Sequence, residues 1–133
     1  MTVLVTHDQR TPMRQEIRIG AHALAADNAV EDGGEGSAPT PHDLYDAALG
    51  ACKALTVLWY ARRKHIPVRG IEVRVERDNG QERAGTYRLE AQLRLGGELS
   101  PAQRQELLSV AAKCPLHKLM TAVKTEITTT LAD

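Results

Sequence analysis

The segment that most limits the fold is "TPHDLYDAALGACKALTVLWYARRKHIP", residues 40–67. Thr40, Pro41 and Asp43 supply a capping side chain, a first-turn proline and a carboxylate at the positive end of a helix. Arg62, Arg63 and Lys64 complement the negative end, and Pro67 prevents continuation, so a helix is expected from about Pro41 to Lys64. At 1.5 Å per residue it spans about 36 Å, the width of a small domain, and must run through the middle of the molecule. Leu44, Leu49, Leu55, Leu58 and Trp59 make it apolar around more than one narrow stripe. One small sheet cannot cover that surface, so a second copy of the chain is expected to do so.

A chain of 133 residues suits one domain, residues 1–133, with its own core. That core must come from Leu, Val, Ile and Ala, because the chain has no Phe, three Tyr and one Trp. Seventeen basic residues balance seventeen acidic ones, which leaves no field to attract phosphate backbones or anionic lipid. With few aromatic platforms for single strands as well, nucleic acid is not an expected partner. Asp46 and Lys53 interrupt the longest apolar segment, which argues against a membrane span. Polar residues from Thr6 to Arg10 come too early for a signal peptide, so the expected location is cytoplasmic. Cys52 and Cys114 lack paired C-x-x-C spacing, and in a reducing compartment a bond between them would be transient and catalytic.

Before the helix, "TVLVT" alternates as a strand and "QEIRI" with "AHALAA" reads as a hairpin turning near Gly20. "DNAVEDGGEGSAPTP" is the one long loop. No phosphate-loop pattern follows Gly33-Gly34, which reads as a flexible turn. After the helix, "GIEVRVERD" and "TYRLEAQLRL" alternate apolar and charged residues around "NGQERAG", as an antiparallel hairpin does. Ser100-Pro101-Ala102-Gln103 opens a helix to about Ala112, Cys114-Pro115 opens a shorter one, and "KTEITTTLA" is expected as a closing strand.

In this order, "GGEGSAPTP", "PHDLYDAALGAC", "YARRKHIP", "GIEVRV" and "CPLHKLM" make the chain resemble the OsmC/Ohr family of osmotically inducible and organic-hydroperoxide-resistance proteins. The resemblance implies an α+β fold, with antiparallel sheets wrapped around long central helices in an intertwined homodimer. It also implies that Cys52 attacks the O–O bond of an organic hydroperoxide and becomes a sulfenic acid. Cys114 then closes a disulfide, which an external dithiol reduces, with no metal or flavin required. Family peroxidases carry an arginine, often paired with a glutamate in the turn after the helix-motif proline. Here His42 and Asp43 follow Pro41, and Arg14 or Arg18 on an early strand could supply the cation.

Free cysteines are also common core residues, which is the bland alternative for Cys52 and Cys114. Asp43 reads first as a helix-capping carboxylate, with support of the site as its sharper role. His117, in C-x-x-H with Cys114, reads as a residue that orients the thiol, since with Cys52 and His42 it fits no common structural zinc spacing. His22 reads as a solvated or hydrogen-bonded strand histidine. The leading expectation is a thiol-dependent reductase of organic hydroperoxides. The alternatives are a relative that binds a small apolar ligand, or a redox sensor, without peroxide turnover.

Overall fold

The computed structural model describes residues 1–132, whose backbone gathers into two compact parts that meet between Ala47 and Ala48. In the first part, strands β1 (Val3–His7), β2 (Gln15–Ile19) and β3 (His22–Ala26) form an antiparallel sheet in sequential order. The β2–β3 hairpin pairs Ile19 with His22 across Gly20, whose φ of 60° lies where only a residue without Cβ is unstrained. On β2, Ile17 is half-buried while Glu16 and Arg18 are exposed, as the period of a strand requires. Helix α1 (Pro41–Arg63) starts in this part with a reciprocal cap. Thr40 Oγ1 accepts from the Asp43 N–H at 3.2 Å, and the Asp43 carboxylate accepts from the Thr40 N–H at 3.0 Å.

The segment between β3 and α1 is a built loop. The Asp27 carboxylate, nearly inaccessible to solvent, accepts backbone N–H bonds from Asn28, Glu35 and Ser37 and the Ser37 hydroxyl. These donors hold its pKa down at about 2, the Ser37 hydroxyl contributing most. Gly33 turns the chain at φ 93°, and a Cβ on Gly34 would stand 2.1 Å from the Asn28 carbonyl oxygen. The expected flexible turn is therefore a hydrogen-bonded structure that requires its glycine.

In the second part, β4 (Ile71–Asp78) and β5 (Arg88–Leu95) pair antiparallel from Ile71↔Leu95 to Asp78↔Arg88. Ile71, Val73 and Val75 share one face with Ala91, Leu93 and Leu95, and the charged residues between them point to solvent. Gly50 on α1 permits close approach to this sheet, since a Cβ there would lie 3.1 Å from a Val75 methyl. Helix α2 (Pro101–Ala112) opens with a complete capping box between Ser100 and Gln103, and α3 (Pro115–Thr121) follows. Val57, Ala61, Ile66, Leu107 and Ala111 form the core, flanked by Ile71, Leu93 and Leu95.

The architecture is α+β, as expected. The expected closing strand is a correction: residues 124–132 form no strand among the described residues. Thr and Ile give that segment strand propensity, but a strand exists only where a neighbour takes its N–H and C=O groups. Ile127 and Leu131 instead stand exposed.

Candidate active site

Cys52 is half-buried on α1, and its Sγ accepts a hydrogen bond from the Leu116 N–H at 3.4 Å. The start of α3 explains why that donor is available. Pro115 restricts Cys114 to extended backbone, and Cys114 adopts φ −62° and ψ 150° as the N-cap. Pro115 has no N–H, and Leu116, next in the first turn, has one without an intrahelical acceptor. That donor meets the sulfur. Cys114 itself is fully buried at the α2–α3 junction, and both cysteines are free thiols.

One helical step turns Lys53 about 100° from Cys52, which makes it a poor direct partner for the sulfur. It is only 5% exposed. Its Nζ donates to the Ala111 carbonyl at 2.9 Å and lies 3.2 Å from His117 Nδ1. An ammonium offers only donors, so Nδ1 is the acceptor in this pair. Leu49, Leu89, Leu93, Leu108 and Ala112 join Lys53 and His117 around a mainly apolar cavity of about 200 Å³.

The second part thus brings Cys52, Cys114 and His117 to one helix junction. His42 and Asp43 occupy the exposed first turn of α1, where Asp43 serves the cap. Arg18 is exposed on β2 opposite Leu4 and Ala23. Arg14 is bound to Glu16 at 2.9 Å and to the Ser37 carbonyl at 3.0 Å. His22 is exposed at the start of β3. Among the described residues no group of three His, Cys, Asp or Glu side chains could hold a metal ion, and no helix is long and apolar enough to cross a membrane.

Residues 34–130, more than half of the chain, match the sequence profile of the OsmC-like proteins. The chain belongs to the OsmC-like family. No curated protein sequence matches it. Solved structures similar to this OsmC-like chain include a candidate osmotic-stress-induced and detoxification-response protein of Psychrobacter arcticus. At 21% identity and a TM-score of 0.77, 92% of this chain covers 89% of that one. The organic hydroperoxide resistance protein OsmC of Legionella pneumophila is 20% identical, with coverage of 92% and 90% and a TM-score of 0.68. For the organic hydroperoxide resistance protein OhrB of Bacillus subtilis the values are 22%, 92% of each chain and 0.60. At these identities the likeness shows the shared fold.

Proposed function

We propose that this OsmC-like protein has a stress-related redox role, and that it reduces organic hydroperoxides at Cys52. The observation that carries the reading is the Leu116 N–H aimed at Cys52 Sγ, from the first turn of the helix that Cys114 caps. That donor fixes the sulfur's direction at the helix junction, and the half-buried setting leaves the thiol reachable. The sulfur attacks the outer oxygen of the hydroperoxide and the O–O bond breaks. The departing alkoxide takes a proton and leaves as the alcohol, while Cys52 becomes a sulfenic acid. Cys114 attacks that sulfur, water leaves with the Cys114 proton, and an external dithiol returns the disulfide to two thiols. Two free cysteines suit a cytoplasmic setting. Asp43, His42 and Arg18 stand in this reading where the family's arginine–glutamate pair has no match in the chain, and the hydrogen bond that Lys53 donates to His117 Nδ1 fixes that ring beside the junction.

The working unit is a homodimer in this reading. Leu55 is 67% exposed and Trp59 60% exposed on α1, apolar surface that a second copy would cover. The second reading, binding of a small apolar ligand without turnover, is favoured by the cavity beside Lys53.

Stopped-flow thiol oxidation with tert-butyl and fatty-acid hydroperoxides, beside hydrogen peroxide, separates the two. Rapid oxidation of the wild type with organic preference, abolished in a folded Cys52→Ser variant, is the expected result. Oxidation no faster than that of free cysteine favours ligand binding instead.

A further inference from the structure

We propose that Lys53 is a positioning residue, whose buried ammonium fastens the end of α2 and the first turn of α3 to α1 and so keeps Cys114 within reach of Cys52. The inference rests on the proposed function for its chemical consequence, though the clamp itself is geometric.

Three contacts carry it. Lys53 Nζ donates to the Ala111 carbonyl at 2.9 Å, three residues before Cys114. The same atom lies 3.2 Å from His117 Nδ1, three residues after Cys114. Between those two grips, the Leu116 N–H meets the sulfur of Cys52, the residue next to Lys53 on α1. One side chain therefore holds both flanks of the junction to the helix that bears the proposed nucleophile.

The cost of the arrangement points the same way. Removing an ammonium from water is unfavourable, and an apolar side chain of similar length would pack readily beside Leu49, Leu93 and Ala111. The carbonyl it holds lies in the last turn of α2, where a cation is favourable, and it also accepts the Cys114 N–H at 3.4 Å, so the ammonium sits one bond from the backbone of that cysteine. Packing needs no charge here, but joining the end of one helix to the start of the next does.

The step that depends on this geometry is disulfide closure. The Cys114 sulfur attacks the Cys52 sulfur, the Cys52 S–O bond breaks, and the oxygen departs as water with the proton of Cys114 and its own. No further oxidant is consumed, because the hydroperoxide has already oxidised Cys52. Closure tolerates a narrow range of Cα separation and side-chain direction, so a junction free to pivot slows it more than the preceding attack.

The test uses full-length Lys53→Met, Lys53→Arg and His117→Leu. Sulfenic-acid formation and disulfide closure are timed separately after one equivalent of organic hydroperoxide, and alkylation of Cys114 is timed in the reduced protein. In Lys53→Met, Cys52 is expected to oxidise while closure slows about tenfold or more and sulfenic acid accumulates. Cys114, fully buried in the wild type, should alkylate faster. Arg, still a donor, restores part of the closure rate, which a filler of space would not require. His117→Leu removes one grip and shows the same changes at smaller size, so it serves if Lys53→Met does not fold. Wild-type closure and Cys114 alkylation rates in the folded Lys53 or His117 variants overturn the clamp. A wild type that forms no Cys52–Cys114 disulfide overturns the proposed resolving chemistry instead, and the alkylation rates still judge the clamp.

Discussion

Two irregular segments, residues 27–39 in the first part and the α2–α3 junction in the second, are each organised by one buried charged side chain of opposite sign. Asp27 collects donors from its own neighbourhood, none more than ten residues away. Lys53 reaches acceptors 58 and 64 residues along the chain. An anion can saturate itself on the N–H groups of a loop that curls around it, because successive amides in a tight turn converge. A cation needs carbonyl or imidazole acceptors, and the end of a separate helix presents them. The bonds to Asp27 are therefore local, with Arg14 adding one outside tie at the Ser37 carbonyl, whereas the Lys53 junction exists only when three helices have met.

The largest blow to the second segment should come from beneath it. Leu107 is fully buried in the core with Val57 and Ala111, the residue whose carbonyl Lys53 holds. Leu107→Ala is expected to cost about 2–5 kcal/mol in denaturant unfolding. The cut should expose Cys114 to alkylation while leaving the Asp27 loop protected from proteolysis. Equal loss of protection in both segments would break the distinction between a local and an assembled structure.

Gly34→Ala tests the local one. Its new methyl would stand 2.1 Å from the Asn28 carbonyl, and backbone on both sides must move. Cleavage between residues 28 and 39 should speed up markedly, with a smaller fall in thermal midpoint than Leu107→Ala produces. An unchanged cleavage pattern would mean that the close approach is not a constraint.

The smallest effect is a pH dependence confined to the first part. Asp27 has its pKa lowered from 3.8 to about 2, by the Ser37 hydroxyl first and backbone donors after it. A carboxylate depressed in the folded state contributes stability that is present above its unfolded value and lost as protons bind the folded form. Amide protection in residues 28–37, corrected for the intrinsic slowing of exchange in acid, should therefore fall as pH drops from about 4 to about 2. Asp27→Asn, which cannot gain that charge, should flatten the extra dependence. Asp8, also held at about 2 by Arg10, titrates in the same window, so the site-resolved measurement is the one that discriminates.

Much of the fold was legible because its causes are local. The Thr40–Asp43 cap, the capping box of Ser100 and Gln103, the strand alternation of Ile71, Val73 and Val75 and the turn at Gly20 each depend on residues within a few positions. The ordered motifs around Cys52 and Cys114 likewise pointed to the family. Asp27 was missed although an Asp followed by glycines and a serine is a usable sign, since a carboxylate in such a loop finds converging amides.

What the sequence by itself determined is the strands and helices from β1 to α3, the caps of α1 and α2 and the pair of cysteines that the family motifs single out. Tertiary structure alone decided what surrounds the sulfur. A helical wheel places Lys53 away from Cys52, but only the packing of α2 and α3 against α1 puts the Ala111 carbonyl and His117 at its ammonium. It also decided that the Leu116 N–H is the donor at Cys52 and that residues 124–132 remain outside a sheet. Caps and alternation are properties of neighbouring residues, readable from spacing. A hydrogen bond across some 60 positions, or a strand's need for a partner, depends on where the rest of the chain has gone.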